Sequence, residues 1–78
     1  MEKIDAKILS LMVQLTALNK INSESDFCER IGLLKQNLSR IKKGVAHFTP
    51  VHIENICKVF KVNANWIFGI QKNTFLDK

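Results

Sequence analysis

Lys35, Gln36, Asn37 and Arg40 fall within six residues, and each bears a side chain able to read a base edge. Arg and Lys donate to guanine O6 and N7, while Gln and Asn pair with adenine N6 and N7. On a helix, the first three occupy the opening turn and Arg40 lies one turn beyond Gln36, so all four can reach into a groove together. Ordinary solvated helix faces also carry such residues, so the elements around them must decide.

Other chemistries are poorly served. Cys28, His47, His52 and Cys57 invite a zinc reading, yet no C-x₂-C or H-x₃-H pair occurs, and His52 and Cys57 are off-register on one helix. Both cysteines fall on expected core faces, where a free thiol behaves as a small hydrophobe, so neither a metal nor a disulfide is expected. No Ser-His-Asp set, phosphate loop or paired carboxylates appear, and a small domain has little room for a deep pocket. The expectation is no catalytic residue, no cofactor and no small-molecule substrate.

The charge has a location. The chain of 78 residues has 12 Lys and Arg against 7 Asp and Glu, for a net +5. Residues 1–34 carry a slight acidic excess. Residues 35–61 set Lys35, Arg40, Lys42, Lys43, Lys58 and Lys61 against Glu54 alone, a footprint suited to phosphate. Apolar residues make up 46 %, an ordinary globular fraction for one domain spanning 1–78. Glu2, Lys3, Asp5 and Lys7 interrupt the first apolar stretch, so neither a leader nor a membrane span is expected, and the expected location is the cytoplasm.

The elements that position the polar cluster follow from periodicity. Ile4, Ile8, Leu11, Leu15 and Leu18 share an arc of about 80°, which predicts a first helix ending near Asn19. Leu9 and Val13 lie on a second face, expected to be covered by the fourth and fifth helices, with a partner surface as the alternative. Ser23 is a cap for a second helix running to Ile31, and Gly32 turns the chain. A third helix, Lys35 to Lys43, has Leu38 and Ile41 inward and is closed by Gly44. Thr49-Pro50 starts a fourth with a stripe of Ile53, Ile56, Cys57 and Phe60. Asn63 recaps a short fifth helix, Ala64 to Phe68, and the tail 70–78 has no clear element. Five helices with short loops make a compact all-α domain.

Ser25-Asp-Phe-Cys-Glu-Arg-Ile-Gly32, Gln36-Asn-Leu-Ser-Arg-Ile41 with Gly44, and Val62-Asn-Ala-Asn-Trp-Ile-Phe-Gly69 together resemble the Cro/CI-type (Xre) helix-turn-helix regulators. The resemblance implies a lambda-repressor-like fold with the helix-turn-helix motif at about 23–44 and Gly32 as its turn. It implies base contacts by Lys35, Gln36, Asn37 and Arg40. Phosphate contacts then fall to Ser23, Ser25, Lys42, Lys43, His47 and Thr49. Double-stranded DNA is the implied partner, read by a homodimer at a pseudo-palindrome, with repression as the expected outcome. Trp66, Phe68, Phe75 and Leu76 offer apolar area for the dimer.

Three departures from the family's pattern stand out. Leu34 precedes the third helix where Ser or Thr is common, so that helix start either frays until DNA arrives or uses Leu34 against a thymine methyl. Glu24 places a carboxylate where a neutral amide often meets a phosphate. Lys42 and Ala17 replace an acid–Arg pair, which is expected to free Lys42 for phosphate. Leu34 and Glu24, with Leu9 and Val13, also suit a second reading, a helix-turn-helix module that binds protein, such as an antitoxin or antirepressor, against which the basic block stands.

Overall fold

A computed structural model describes residues 2–76. Five helices follow in order: α1 (Lys3–Ala17), α2 (Glu24–Ile31), α3 (Lys35–Lys42), α4 (Pro50–Phe60) and α5 (Ala64–Ile67). The chain is all-α, as expected, and its principal extents are 33 × 25 × 21 Å. Ile8, Leu11 and Leu15 of α1 meet Phe27 and Ile31 of α2, Leu38 and Ile41 of α3, and Ile56 of α4 in one core. Phe27 and Phe60 stack across α2 and α4 with ring centroids 5.8 Å apart. The expected core stripe of α4 divides: Ile56 and Phe60 are buried, whereas Ile53 and Cys57 are half-buried beside an open groove.

The helix ends explain how α3 is aimed. Ser23 caps α2 by accepting the Asp26 N–H at 3.1 Å, and Asp26 in turn accepts the Asn22 N–H at 2.9 Å. That backbone bond and the Arg30 guanidinium hold the Asp26 carboxyl below its usual range. At the other end Gly32 adopts φ +75, and the Leu33 N–H reaches back to the Cys28 carbonyl at 2.9 Å. This is the six-to-one bond of a Schellman close, with Leu33 buried behind it. Leu34 gives α3 no side-chain cap, which agrees with its chemistry. Asn55 of α4 donates to the Ile31 carbonyl at 3.0 Å, locking the turn from behind.

One expectation about apolar residues needs correction. Val13 is 68 % exposed rather than covered by α4 and α5, whereas Leu9 on the same face packs against the core; α5 is only one turn long and cannot cover both. Trp66 is buried at 7 %, with the Lys7 ammonium 4.5 Å from its ring centroid, so within this chain it is a core residue, one of the two places its sequence allowed.

The tail has more order than its sequence suggested. Phe75 forms an isolated antiparallel bridge with Val62, held by Asn63 N–H to Thr74 O at 2.8 Å and Leu76 N–H to Lys61 O at 2.9 Å. Asn63 is a buried hub. Its Oδ1 caps α5 through the Asn65 N–H, while Nδ2 donates to Gln71 Oε1 and the Asn73 carbonyl. One residue therefore starts a helix and pins the return of the chain.

Candidate nucleic-acid interface

α3 is eight residues long and buries Leu38 and Ile41. Two apolar positions cannot hold so short a helix in water, so α2 and the common core supply its stability. The consequence is a helix whose remaining faces are open. Lys35, Gln36, Ser39 and Arg40 are exposed, and Asn37 is half-buried. At about 1.5 Å rise per residue the exposed row runs about 7.5 Å along the axis, and a helix about 10–12 Å across with its side chains fits a major groove about 12 Å wide. No acidic residue lies in its first turn.

The ion pairs among the described residues leave Lys35, Arg40 and Lys43 without a carboxylate partner. The structure thus brings three unneutralised cations to one helix and its C-cap. Leu34, 62 % exposed at the head of α3, adds an apolar side chain beside them.

Lys42 is placed differently from the expectation that it would be free. Its Nζ donates to both oxygens of Glu24, at 2.8 and 2.7 Å. The two residues singled out as departures therefore answer each other: the lysine at the end of α3 neutralises the carboxylate at the start of α2. Both side chains are 43 % exposed, so this pair adds little stability, but it cancels one repulsive and one attractive charge at the motif's edge.

The flanking hydroxyls are already engaged as caps. Ser23 Oγ serves α2. Thr49 Oγ1 accepts the His52 N–H at 3.3 Å, and His52 Nδ1 accepts the Thr49 N–H at 3.1 Å, a reciprocal capping box at the start of α4. Each hydroxyl keeps its own hydrogen for another acceptor. Ser25 is exposed in the first turn of α2. Burial pushes the His52 imidazole toward its neutral form, opposed by the Gly32 backbone.

His47 is tied to α1, a connection that sequence reasoning missed. Its Nδ1 lies 2.6 Å from Asp5 Oδ2, and the Phe48 N–H donates to Asp5 Oδ1 at 3.0 Å. Asp5 is itself 2 % exposed. An acid at the start of a helix reads as a helix-dipole residue, and no local spacing links it to a loop more than forty positions away.

Among the described residues no group of three or more His, Cys, Asp and Glu could hold a metal ion. Cys28 and Cys57 are free thiols. Burial raises the pKa of both, reinforced at Cys28 by the Glu24 charge. No helix among the described residues is long and apolar enough to cross a membrane. The residues expected at a dimer surface fall in separate places. Phe68 lines a groove of about 760 Å³ between the start of α1, α4 and α5. Phe75 and Leu76 line a second cleft of about 420 Å³ beside Leu18, Val59 and Lys61.

A turn glycine between a capped α2 and an outward polar α3 defines a helix-turn-helix protein. Residues 12–73 match the family model of the Cro/C1-type helix-turn-helix DNA-binding domain, and the chain belongs to that family. No curated protein and no solved structure matches the chain. It is a small helical DNA-binding regulator of the Cro/C1 type.

Proposed function

We propose that this protein is a sequence-specific repressor that lays α3 in the major groove and occupies a promoter as a homodimer. The observation that carries the reading is the open face of α3, where Lys35, Gln36 and Arg40 project without internal partners. Arg40 and Lys35 suit guanine, and Gln36 suits adenine, with Asn37 at the groove edge. Lys43 and the loop through His47 to Thr49 grip the backbone, joined by the hydroxyls of Ser23 and Ser25. The protein works by binding alone, in the cytoplasm, without a cofactor.

One helix of this length reads few base pairs, so a second copy is needed for specificity, with half-sites one helical turn, about 34 Å, apart. Phe68, 51 % exposed beside the α1–α4–α5 groove, is the residue we place at that contact. Selection of duplexes from a random pool should yield a pseudo-palindrome. Phe68→Lys should abolish the dimer in sedimentation while leaving the helical circular dichroism intact. Selected duplexes without a common sequence would refute specific recognition.

The same groove favours a second reading, a module that binds a partner protein. Its lining includes Ile4, Phe48, Ile53, Cys57 and Phe68, an apolar surface of the kind that meets a protein partner. Charge reversal at Lys35 and Arg40 separates the two, because a protein partner held at the groove would stay bound.

A further inference from the structure

Asn63 and the Val62–Phe75 bridge bring the tail back against the ends of α1 and α4. Between these segments lies the cleft of about 420 Å³. Phe60, buried, and Phe75, half-buried, give it an aromatic floor. Leu18, Val59 and Leu76 stand around it and are all exposed. Three large apolar side chains left open around one cleft make a patch of the kind that meets a partner.

The charge around the cleft has one sign. Lys20, Arg30 and Lys61 line it, and no acidic residue among the described ones does. Arg30 is paired with Asp26 at 3.0 Å, whereas Lys20 and Lys61 have no carboxylate partner among the described residues. The Lys20 ammonium lies 5.8 Å from the Phe75 ring centroid, and the Arg30 guanidinium 6.0 Å from that of Phe60. The cations thus stand beside the apolar floor, so an acid that meets them brings its neighbours onto the rings. The larger groove differs, with Glu2, Asp5 and Glu54 among its lining residues.

Three occupants differ in what they would use. A DNA phosphate would leave the aromatic floor and the apolar rim untouched, and no residue of α3 lines the cleft. A second copy related by a two-fold axis would set the patch against itself, lysine toward lysine. An acidic segment with a large apolar side chain answers both the charge and the floor.

We propose that this cleft docks a partner protein through an acidic segment bearing a large apolar side chain, with its carboxylates on Lys20 and Lys61 and the apolar side chain over Phe60 and Phe75. The tail then has a task of its own, since Phe75 and Leu76 form one wall of the site. The proposal does not rest on the DNA-binding reading, because it uses no residue of α3, and it concerns a different surface from the larger groove.

The test selects peptides from a random displayed library on the full folded chain, measures their affinity by fluorescence anisotropy and maps them by amide chemical shifts. Selected sequences should set Asp and Glu around a Leu, Phe or Trp, and the shifts should centre on Lys20, Lys61, Phe75 and Leu76. Both lysines are exposed, so the Lys20→Gln, Lys61→Gln variant should keep its helical circular dichroism and lose about tenfold in peptide affinity. Phe68→Lys, in the larger groove, should not weaken the peptides. A library without enrichment, selected peptides without acidic residues, affinity that survives the lysine changes, or affinity lost in Phe68→Lys would overturn the proposal. So would a lysine variant whose salt slope for the selected duplex falls by roughly two units, which makes DNA the occupant. Loss of self-association in that variant would make the occupant a second copy and overturn it equally. If no duplex binds while the peptides still dock at the cleft, the DNA reading falls and this inference stands.

Discussion

Individual side chains divide the labour of recognition in a way that mutation can separate. Gln36 projects from α3 without an internal partner, so Gln36→Ala should relax preference at one base position, costing roughly 1–3 kcal/mol for the selected duplex and little for others. Lys43 carries charge but no base-reading geometry. Its loss should weaken all duplexes alike and reduce the slope of log affinity against log salt by roughly one unit. The Glu24–Lys42 pair yields a less obvious expectation. Glu24→Gln removes a carboxylate and releases an ammonium at the same edge, so it should strengthen DNA binding and steepen the salt slope by up to roughly one unit. A titration across salt with one duplex checks all three. The α3 face was legible in the sequence because two apolar residues among polar ones leave little doubt about orientation. Glu24 and Lys42 were each visible as oddities, but their partnership spans 18 positions and needs the fold. Asp5 with His47, 42 positions apart, carried no periodic or motif signal at all.

At the scale of elements, the motif depends on how its helices stop and start. Gly32 holds φ +75, and a Cβ there would meet Asn55 Nδ2 at an unremarkable 3.8 Å. The penalty for a side chain is therefore conformational, not steric crowding. Gly32→Val should cost at least roughly 1–2 kcal/mol in denaturant unfolding and weaken DNA binding through misorientation of α3. The start of α4 responds to pH. His52 Nδ1 must be unprotonated to accept the Thr49 N–H, and burial favours that neutral form. A depressed folded-state pKa means the stabilisation is full above the unfolded value of about 6.5 and is lost as pH falls through the folded one. His52→Gln preserves the Thr-x-x-Gln form of the capping box, so it should remove this acid-side decline while keeping α4 intact. Urea titrations on either side of pH 6.5 provide the check. Caps and turns were readable because Ser23, Gly32, Thr49-Pro50 and Asn63 act on their immediate neighbours. The tail was not, since its bridge to Val62 depends on long-range bonds to Asn63 and Lys61.

For the molecule as a whole, the charge arithmetic becomes a surface. Of the cations in 35–61, Lys42 and Lys58 are neutralised by Glu24 and Glu54, which concentrates the unpaired charge on Lys35, Arg40, Lys43 and Lys61. The first three lie on α3 and its C-cap, while Lys61 caps α4 in the left-handed region at φ +57 and belongs to the second cleft. Trp66 supports α5 from within, and Phe68 stays exposed beside the groove where the dimer contact is proposed. The account therefore stands on α3 as the docking face. Its most direct test is the affinity of a Lys35→Glu, Arg40→Glu double variant for the duplex selected by the wild type, with circular dichroism confirming the fold. Both residues are exposed and unpaired, so the variant should fold normally and lose at least about a hundredfold in affinity, as expected for two lost contacts of 1–3 kcal/mol each with added repulsion. Wild-type affinity in the folded double variant would place the DNA, or the partner, on another face.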